Sequence, residues 1–394
     1  MVEDTHKYGV KIPKTVEEAY AIDAENGNNF WMKAIDEEMS KVRVAFEVYE
    51  DDPSKLIGYE QIKMHMVFDI KLGENFRRKA RLVADGHLTN PPSSVTYSSV
   101  VSRDSVRICL LIAALNGLEV MCADIENAYL SAPPREKCWT IADKEFGNDE
   151  ENAFIIVRAL YGLKSSGAAF RSHLAPCLDE IGFRPSITDA DVWMRMNVKP
   201  DGEAYYEYIL VYVDDLMAIS HGAGKCLGDL KQFIKFKNDK IEEPSMYLGA
   251  TLEKKSINGH QSWTISSKDY VKNALLHVEQ IIFEKRKMKF YSRAVTPMQQ
   301  SFIPELDNSA ELDAENITLY QEMIGILRWA IELGRVDIHH KMSILSAYQA
   351  SPREGHFEQL VHIFSFLKRK PKLALYFDPQ LPNIDPNGEI WTVP

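Results

Sequence analysis

Two adjacent aspartates, Asp214 and Asp215, interrupt the apolar run YILVYVDDLMAIS. A third, Asp124, closes the run LEVMCAD 90 residues earlier. Carboxylates from separate chain segments are what two-metal phosphoryl chemistry needs. Two divalent ions sit about 3.5–4 Å apart, one lowering the pKa of an attacking hydroxyl and both neutralising the phosphate under attack. Aspartate offers a short, hard oxygen donor suited to Mg²⁺. A plainer reading competes with this one, because Asp-Asp is a favoured turn former and an Asp at a strand end caps the next turn. Taken singly, neither segment decides between the two.

Hydrophobic periodicity indicates what positions these residues. Residues 29–42 read as a helix, with Trp31, Ala34, Ile35, Glu38 and Val42 at helical spacing. Residues 46–84 read as short strands ending in the basic FRRKARLVADG, and PPSSVTYSSVVS as an extended connector. Ser102 is placed to cap a helix over 104–116 with Val106, Cys109, Leu110 and Ala113 on its buried stripe, and Gly117 stops it. A strand over 118–123 then delivers Asp124. FIIVRALYGLKSSGAAFRSHLAPCLDEIGF reads as strand, glycine turn and helix closed by Gly182. Residues 205–220 read as two strands joined at Asp214-Asp215, and Asn258-Gly259 marks a second hairpin. Beyond Lys268 the pattern is mainly helical, over 268–280, 319–333, 338–350 and 355–370. The first 30 residues read as a polar, poorly ordered lead-in. Trp31, Trp193, Trp263 and Trp329 read as packing residues.

At 394 residues the chain is too long for one ordinary core, so two or three subdomains are expected. No run of 18 apolar residues is present, which argues against a membrane-spanning helix, and the N-terminus shows no secretory h-region. Five scattered cysteines without a CxxC or Cys/His knuckle indicate free thiols in a reducing compartment rather than structural zinc. The net charge of −11 argues against a nucleic-acid binder. The basic residues are clustered, however, around Lys71–Arg81, Lys231–Lys240, Lys285–Arg293 and Lys368–Lys372. Such islands either track a phosphate backbone or form solvated helix faces.

Taken together, the segments resemble the reverse transcriptase of copia-type (Pseudoviridae) LTR retrotransposons over most of residues 31–378. RRKARLVADGH is similar to the family's basic fingers segment, DIENAYL to its first catalytic motif, and LYGLKSSGAAF to its glycine-containing substrate motif. YVDDL is similar to its polymerase signature and YLG to its primer-grip turn. YQEMIGILRWAIELGRVDI, LSAYQASPREGH and IFSFLKRKPK resemble the helical region downstream.

The resemblance implies an α+β right-hand polymerase with an antiparallel palm sheet. Its parts would be a lead-in (1–30), fingers (31–103), palm (104–130), fingers and palm (131–185), palm with the YVDD hairpin and primer grip (186–250), thumb (251–300), and a connection-like helical region and tail (301–394). It implies RNA-directed DNA polymerisation on an RNA template from a DNA or RNA primer, with dNTPs and Mg²⁺, Mn²⁺ being a substitute. Asp124, Asp214 and Asp215 would be the catalytic metal ligands, and Lys79 and Arg81 would reach the triphosphate. Tyr129 would lie under the sugar and exclude a ribose 2′-OH, and Gly162 would admit nucleotide or template to the backbone. Tyr212 and Val213 would flank the primer end, and Tyr247, Leu248 and Gly249 would position it.

A cytoplasmic site within retrotransposon particles, or the nucleus, is expected. The family commonly has Gln after the lysine of LYGLK, where this chain has Ser165, so a template contact is in question there. Related polyproteins continue into an RNase H domain, whereas this chain ends shortly after Asp378. The alternative expectation is therefore a degenerate or domesticated fragment that binds nucleic acid or protein without polymerising.

Overall fold

The computed structural model describes residues 6–7, 10–71, 76–257 and 259–380. Its central sheet has five strands in the order Arg184–Pro185, Val192–Val198, Ala204–Tyr212, Asp215–Ser220 and Glu119–Asp124. Every neighbouring pair is antiparallel. The inner strands read as unbroken apolar runs because both faces are covered. Val120, Leu210, Met217 and Ile219 pack toward the helix Arg103–Asn116 through Val106, Leu110 and Ala113. The alternate residues Ala123, Ile209, Val211, Leu216 and Ala218 face the helices Ser166–Glu180 and Ala223–Leu230. Ser102 caps the first of these helices by accepting the Ser105 N–H, and Gly117 ends it at φ +62°, where a side chain would be strained.

A basic hairpin, Met64–Lys71 with Arg77–Ala84, lies on the helix Phe30–Val42. Alternation turns Ala80, Leu82 and Ala84 into a core with Trp31, Ile35 and Phe68, and leaves Lys79 and Arg81 on the other face. The expectation of a poorly ordered lead-in is corrected over residues 16–25. Val16–Glu25 is a helix whose Val16, Ala19 and Ile22 join the same core, because three apolar residues at helical spacing suffice to dock a helix that is otherwise polar. Asp23 fixes its angle by accepting the N–H groups of Trp31 and Met32. A small sheet of Phe46–Val48, Ala153–Ile156, Cys138–Ile141 and Glu60–Gln61 closes this part. Its last pair is the one parallel pair among the described residues.

The C-terminal part combines a sheet of Met246–Tyr247, Ala250–Ile257, His260–Ser266 and Leu375–Tyr376 with the helices Lys268–Arg286, Ala314–Glu332, His339–Ser346 and Glu354–Arg369. The mixed helix-and-strand class with antiparallel sheets agrees with the sequence. Two helices run longer than their apolar periodicity indicated and one shorter. Of the Asn258-Gly259 turn, Asn258 lies outside the described residues, and the strands on either side pair down to Ile257 opposite His260. Trp31, Trp193 and Trp263 are core residues, but Trp329 is 43% exposed, with the Arg103 guanidinium 4.5 Å over its ring. All five cysteines are free. No helix among the described residues is long and apolar enough to cross a membrane.

Candidate active site

Asp124 ends its strand directly opposite Asp215, a position that sets Cα atoms about 4.5–5.5 Å apart. Asp214 sits in the adjoining turn. That turn is not Asp214-Asp215 as the acidic pair suggests. Tyr212 pairs with Asp215, so the two turn residues are Val213 and Asp214. Asp215 is thereby the first residue of the next strand, available to the Asp124 strand. Val213 has φ +54°, whereas the φ of Asp214 is not positive. A positive φ at the first turn position alone is the pattern of a II′ turn, which normally takes glycine there. The Asp214 carbonyl accepts the Ile125 N–H at 2.8 Å, tying the turn across to the chain just after Asp124.

The carboxylates repel one another. Burial pushes the Asp215 carboxyl up to about 6, helped by the charges of Asp214 and Asp124. Asp214 is raised by burial and by Asp124, and held back by Lys237 and Arg81. The cation that meets Asp124 is the Lys237 ammonium, 2.9 Å from its Oδ2. Lys237 arrives there because Phe236 bridges to Ile125 and the Glu126 N–H donates to the Lys235 carbonyl, so this segment lies along the strand's free edge. Sequence reasoning placed Lys237 in a basic island, and no spacing linked it to Asp124.

Among the described residues, no three His, Cys, Asp or Glu side chains are gathered as a ready metal cage. The donors nonetheless fit a hard divalent cation in type and in surplus charge, since Mg²⁺ takes one or two carboxylates and completes its shell with water and phosphate.

Around the aspartates stand cations and rings. The Arg81 guanidinium lies 5.2 Å over the Tyr161 ring. Tyr161 meets Tyr129 edge-on at 5.0 Å, and Tyr129 meets Phe170 at 6.4 Å. The Tyr129 hydroxyl is raised by burial and by the charge of Asp214. Lys79 pairs across the basic hairpin with Asp69, and its charge reaches Glu38, whose carboxyl burial raises. The close approach at Gly162 is intramolecular. A Cβ there would stand 2.0 Å from the Ala84 carbonyl oxygen, and φ is +93°. Ser165 is fully buried, with its N–H donating to Glu136 at 2.7 Å and its hydroxyl to the same carboxylate. Its side chain therefore faces the interior.

Tyr212 and Val213 are half-buried at the hairpin tip. Leu248 and Gly249 form a two-residue turn with φ +49° and +81° between Tyr247 and Ala250. Tyr247 itself is buried beneath the central sheet, and its hydroxyl has no hydrogen-bond partner among the described residues. The Lys231–Lys240 island is paired within the chain throughout, and the two C-terminal islands are paired in part. Lys231 meets Asp239, Lys235 meets Glu126, and Lys240 meets Glu242. Lys285 meets Glu315, Arg286 meets Glu354, and Lys368 meets Glu279. The acidic background is thus in part the counter-charge of the islands.

The reverse transcriptase (RNA-dependent DNA polymerase) family model matches residues 51–284, a span that contains Lys79, Arg81, Asp124, Tyr129, Gly162, Tyr212 to Asp215, Lys237 and Tyr247 to Gly249. The chain is 26% identical over 307 residues to the retrovirus-related Pol polyprotein from transposon RE1 of Arabidopsis thaliana, covering 76% of this chain and 19% of that protein. It is 24% identical over 258 residues to the putative transposon Ty5-1 protein of Saccharomyces cerevisiae, covering 64% and 78%. To the Pol polyprotein from transposon TNT 1-94 of Nicotiana tabacum it is 24% identical over 364 residues, covering 86% and 25%. The chain therefore spans about a fifth of the RE1 polyprotein's length.

Proposed function

The chain belongs to the reverse transcriptase (RNA-dependent DNA polymerase) family, and from that premise we propose that it is the polymerase module of a copia-type LTR retrotransposon. It adds deoxynucleotides from dNTPs to the 3′-OH of a DNA or RNA primer on an RNA template, and pyrophosphate leaves. The observation that carries this reading is the register of Asp124 opposite Asp215, with Asp214 in the adjoining turn. Those three carboxylates would hold Mg²⁺, or Mn²⁺ in its place, which when bound activates the primer hydroxyl and neutralises charge on the triphosphate. Arg81 and Lys79 reach the triphosphate from the basic hairpin.

Tyr129 lies under the sugar and rejects a 2′-OH. The Gly162 backbone borders the nucleotide site, and Tyr212 and Val213 flank the primer end. The Leu248-Gly249 turn supports the primer, with Tyr247 anchoring that turn from the core. In this reading the five-stranded sheet and its helices are the palm, the basic hairpin belongs to the fingers, and the helices beyond Lys268 are thumb and connection. The expected setting is the cytoplasm, within retrotransposon particles, or the nucleus.

A second reading is supported by the Lys237–Asp124 pair and the internal pairing of the Lys231–Lys240 island. An aspartate set held by a lysine would suit a module that binds nucleic acid or protein without polymerising. Primer extension on an RNA template, with purified protein, Mg²⁺ and dNTPs, separates the two. The native chain is expected to extend, and Asp214→Ala to fall by more than about a hundredfold, as loss of a principal charge stabiliser does. Equal extension by both refutes the metal assignment, and extension by neither selects the binding module.

A further inference from the structure

Tyr161 had no role in the sequence reading, yet its surroundings are specific. It lies immediately before Gly162, and its carbonyl accepts the Ala84 N–H at 2.8 Å. That bond clamps it to the end of the strand that carries Lys79 and Arg81. The clamp is as close as backbone allows, since any Cβ at Gly162 or Gly86 would collide with the opposing backbone. The ring is 40% exposed, a large apolar surface left open beside a charged site. One side of it meets Tyr129 edge-on at 5.0 Å, and Phe170 backs Tyr129 at 6.4 Å. The other contact is the Arg81 guanidinium, 5.2 Å from the ring centroid. The charge of Asp214 acts on the hydroxyls of both Tyr129 and Tyr161, so the row of rings runs beside the aspartate turn.

Resting on the polymerase reading above, we propose that Tyr161 is a positioning residue. Its ring face holds the Arg81 guanidinium toward the triphosphate of the incoming dNTP, and its edge braces the Tyr129 ring. An arginine on a free strand face has many rotamers to lose when it binds phosphate. A guanidinium already stacked on a ring fixed by backbone contact has fewer. The same ring makes Tyr129 rigid between Phe170 and Tyr161, which a sugar-discriminating wall needs. What matters is the π-face, not the hydroxyl. The effect therefore falls on triphosphate binding, and the chemical step is spared.

The test compares Tyr161→Leu, which keeps apolar bulk without a ring face, with Tyr161→Phe, which keeps the face without the hydroxyl. The first readout is dNTP KM against kcat in primer extension. The second is calorimetric binding of inorganic tripolyphosphate with Mg²⁺, which needs no turnover. Tyr161→Leu is expected to raise KM and weaken tripolyphosphate about tenfold with kcat within about threefold. Tyr161→Phe is expected to return both to within about twofold of the native chain. Adding Tyr161→Leu to Arg81→Ala is expected to cost tripolyphosphate affinity nothing further, since on that sugarless ligand the ring acts only through the guanidinium.

Leu and Phe behaving alike, additive losses of tripolyphosphate affinity with Arg81→Ala, or no tripolyphosphate binding by the native chain would each overturn the proposal. If Tyr161→Leu fails to fold, Arg81→Lys reads the same contact from the other side, because it keeps the charge and loses the planar face. Its tripolyphosphate affinity is expected to fall about as far, and an undiminished affinity overturns the proposal. A native chain that binds tripolyphosphate in this pattern but extends no primer refutes the polymerase reading and leaves the Tyr161 contact standing.

Discussion

Replacing Asp215 by asparagine is expected to stabilise the metal-free protein while removing a carboxylate on which the proposed chemistry depends. The folded-state carboxyl of Asp215 is carried from an ordinary 3.8 to about 6 by burial and by the charges of Asp214 and Asp124. At about 1.36 kcal/mol for each tenfold change in proton affinity, the ionised form costs the native state at most about 3 kcal/mol. The side chain is only half-buried, and screening by water reduces that to roughly 1–2 kcal/mol. The sign comes from proton uptake. Between pH 3.8 and about 6 the native state holds the proton that the unfolded chain has released, so stability falls as pH rises through that window.

Below pH 3.8 the penalty is absent, and above about 6 it is complete. Asparagine never ionises, so Asp215→Asn carries none of it. Thermal melts in EDTA should show the variant higher by roughly 2 °C at pH 7.5, a small shift because a chain of this length has a large unfolding entropy. The gap should close toward pH 4. Millimolar Mg²⁺ should narrow it at pH 7.5, because the cation stabilises the native carboxylates alone. A variant equally stabilised at pH 4 and 7.5, or destabilised at pH 7.5, would refute the charge-repulsion account of this site.

The same geometry sets three further outcomes. Gly162→Ala should destabilise by about 3 kcal/mol or more in urea titrations, because its Cβ meets the Ala84 carbonyl at 2.0 Å in a left-handed backbone; a loss under about 1 kcal/mol would mean the two backbones can separate. Val213→Gly should stabilise by about 1 kcal/mol by relieving the φ of +54°, and an unchanged urea midpoint would show that the turn is unstrained. Tyr129→Ala should raise rNTP incorporation relative to dNTP in primer extension, and an unchanged ratio removes its proposed role as a sugar gate.

Local sequence signals carried much of the architecture. The apolar stripes of Phe30–Val42 and Arg103–Asn116 each match a buried face, and Ser102 and Gly117 cap the second helix as their types require. The alternation that sets Lys79 and Arg81 together is equally local, since a pleated strand admits no other arrangement. Local signals misled where a tertiary partner set the outcome. The acidic pair suggested an Asp214-Asp215 turn. Pairing of Asp215 with Asp124 instead moved the turn back one residue, onto a valine with a left-handed backbone. A polar lead-in contained a helix because three apolar residues found a core to enter.

The mixed class, the helices and strands with strong periodicity, and the order of motifs that marks the family are all written in the chain itself. Those features depend on neighbours within a few residues or on residue identity alone. Which charges face one another is settled in three dimensions. Asp124 meets Asp215 through a strand register. Lys237 reaches Asp124 by laying a later segment along the sheet edge, and Arg81 rests on Tyr161 because Gly162 lets two backbones touch. Each of these contacts joins residues far apart in the chain, and Coulomb and packing energies depend on distance in space, which residue spacing does not encode.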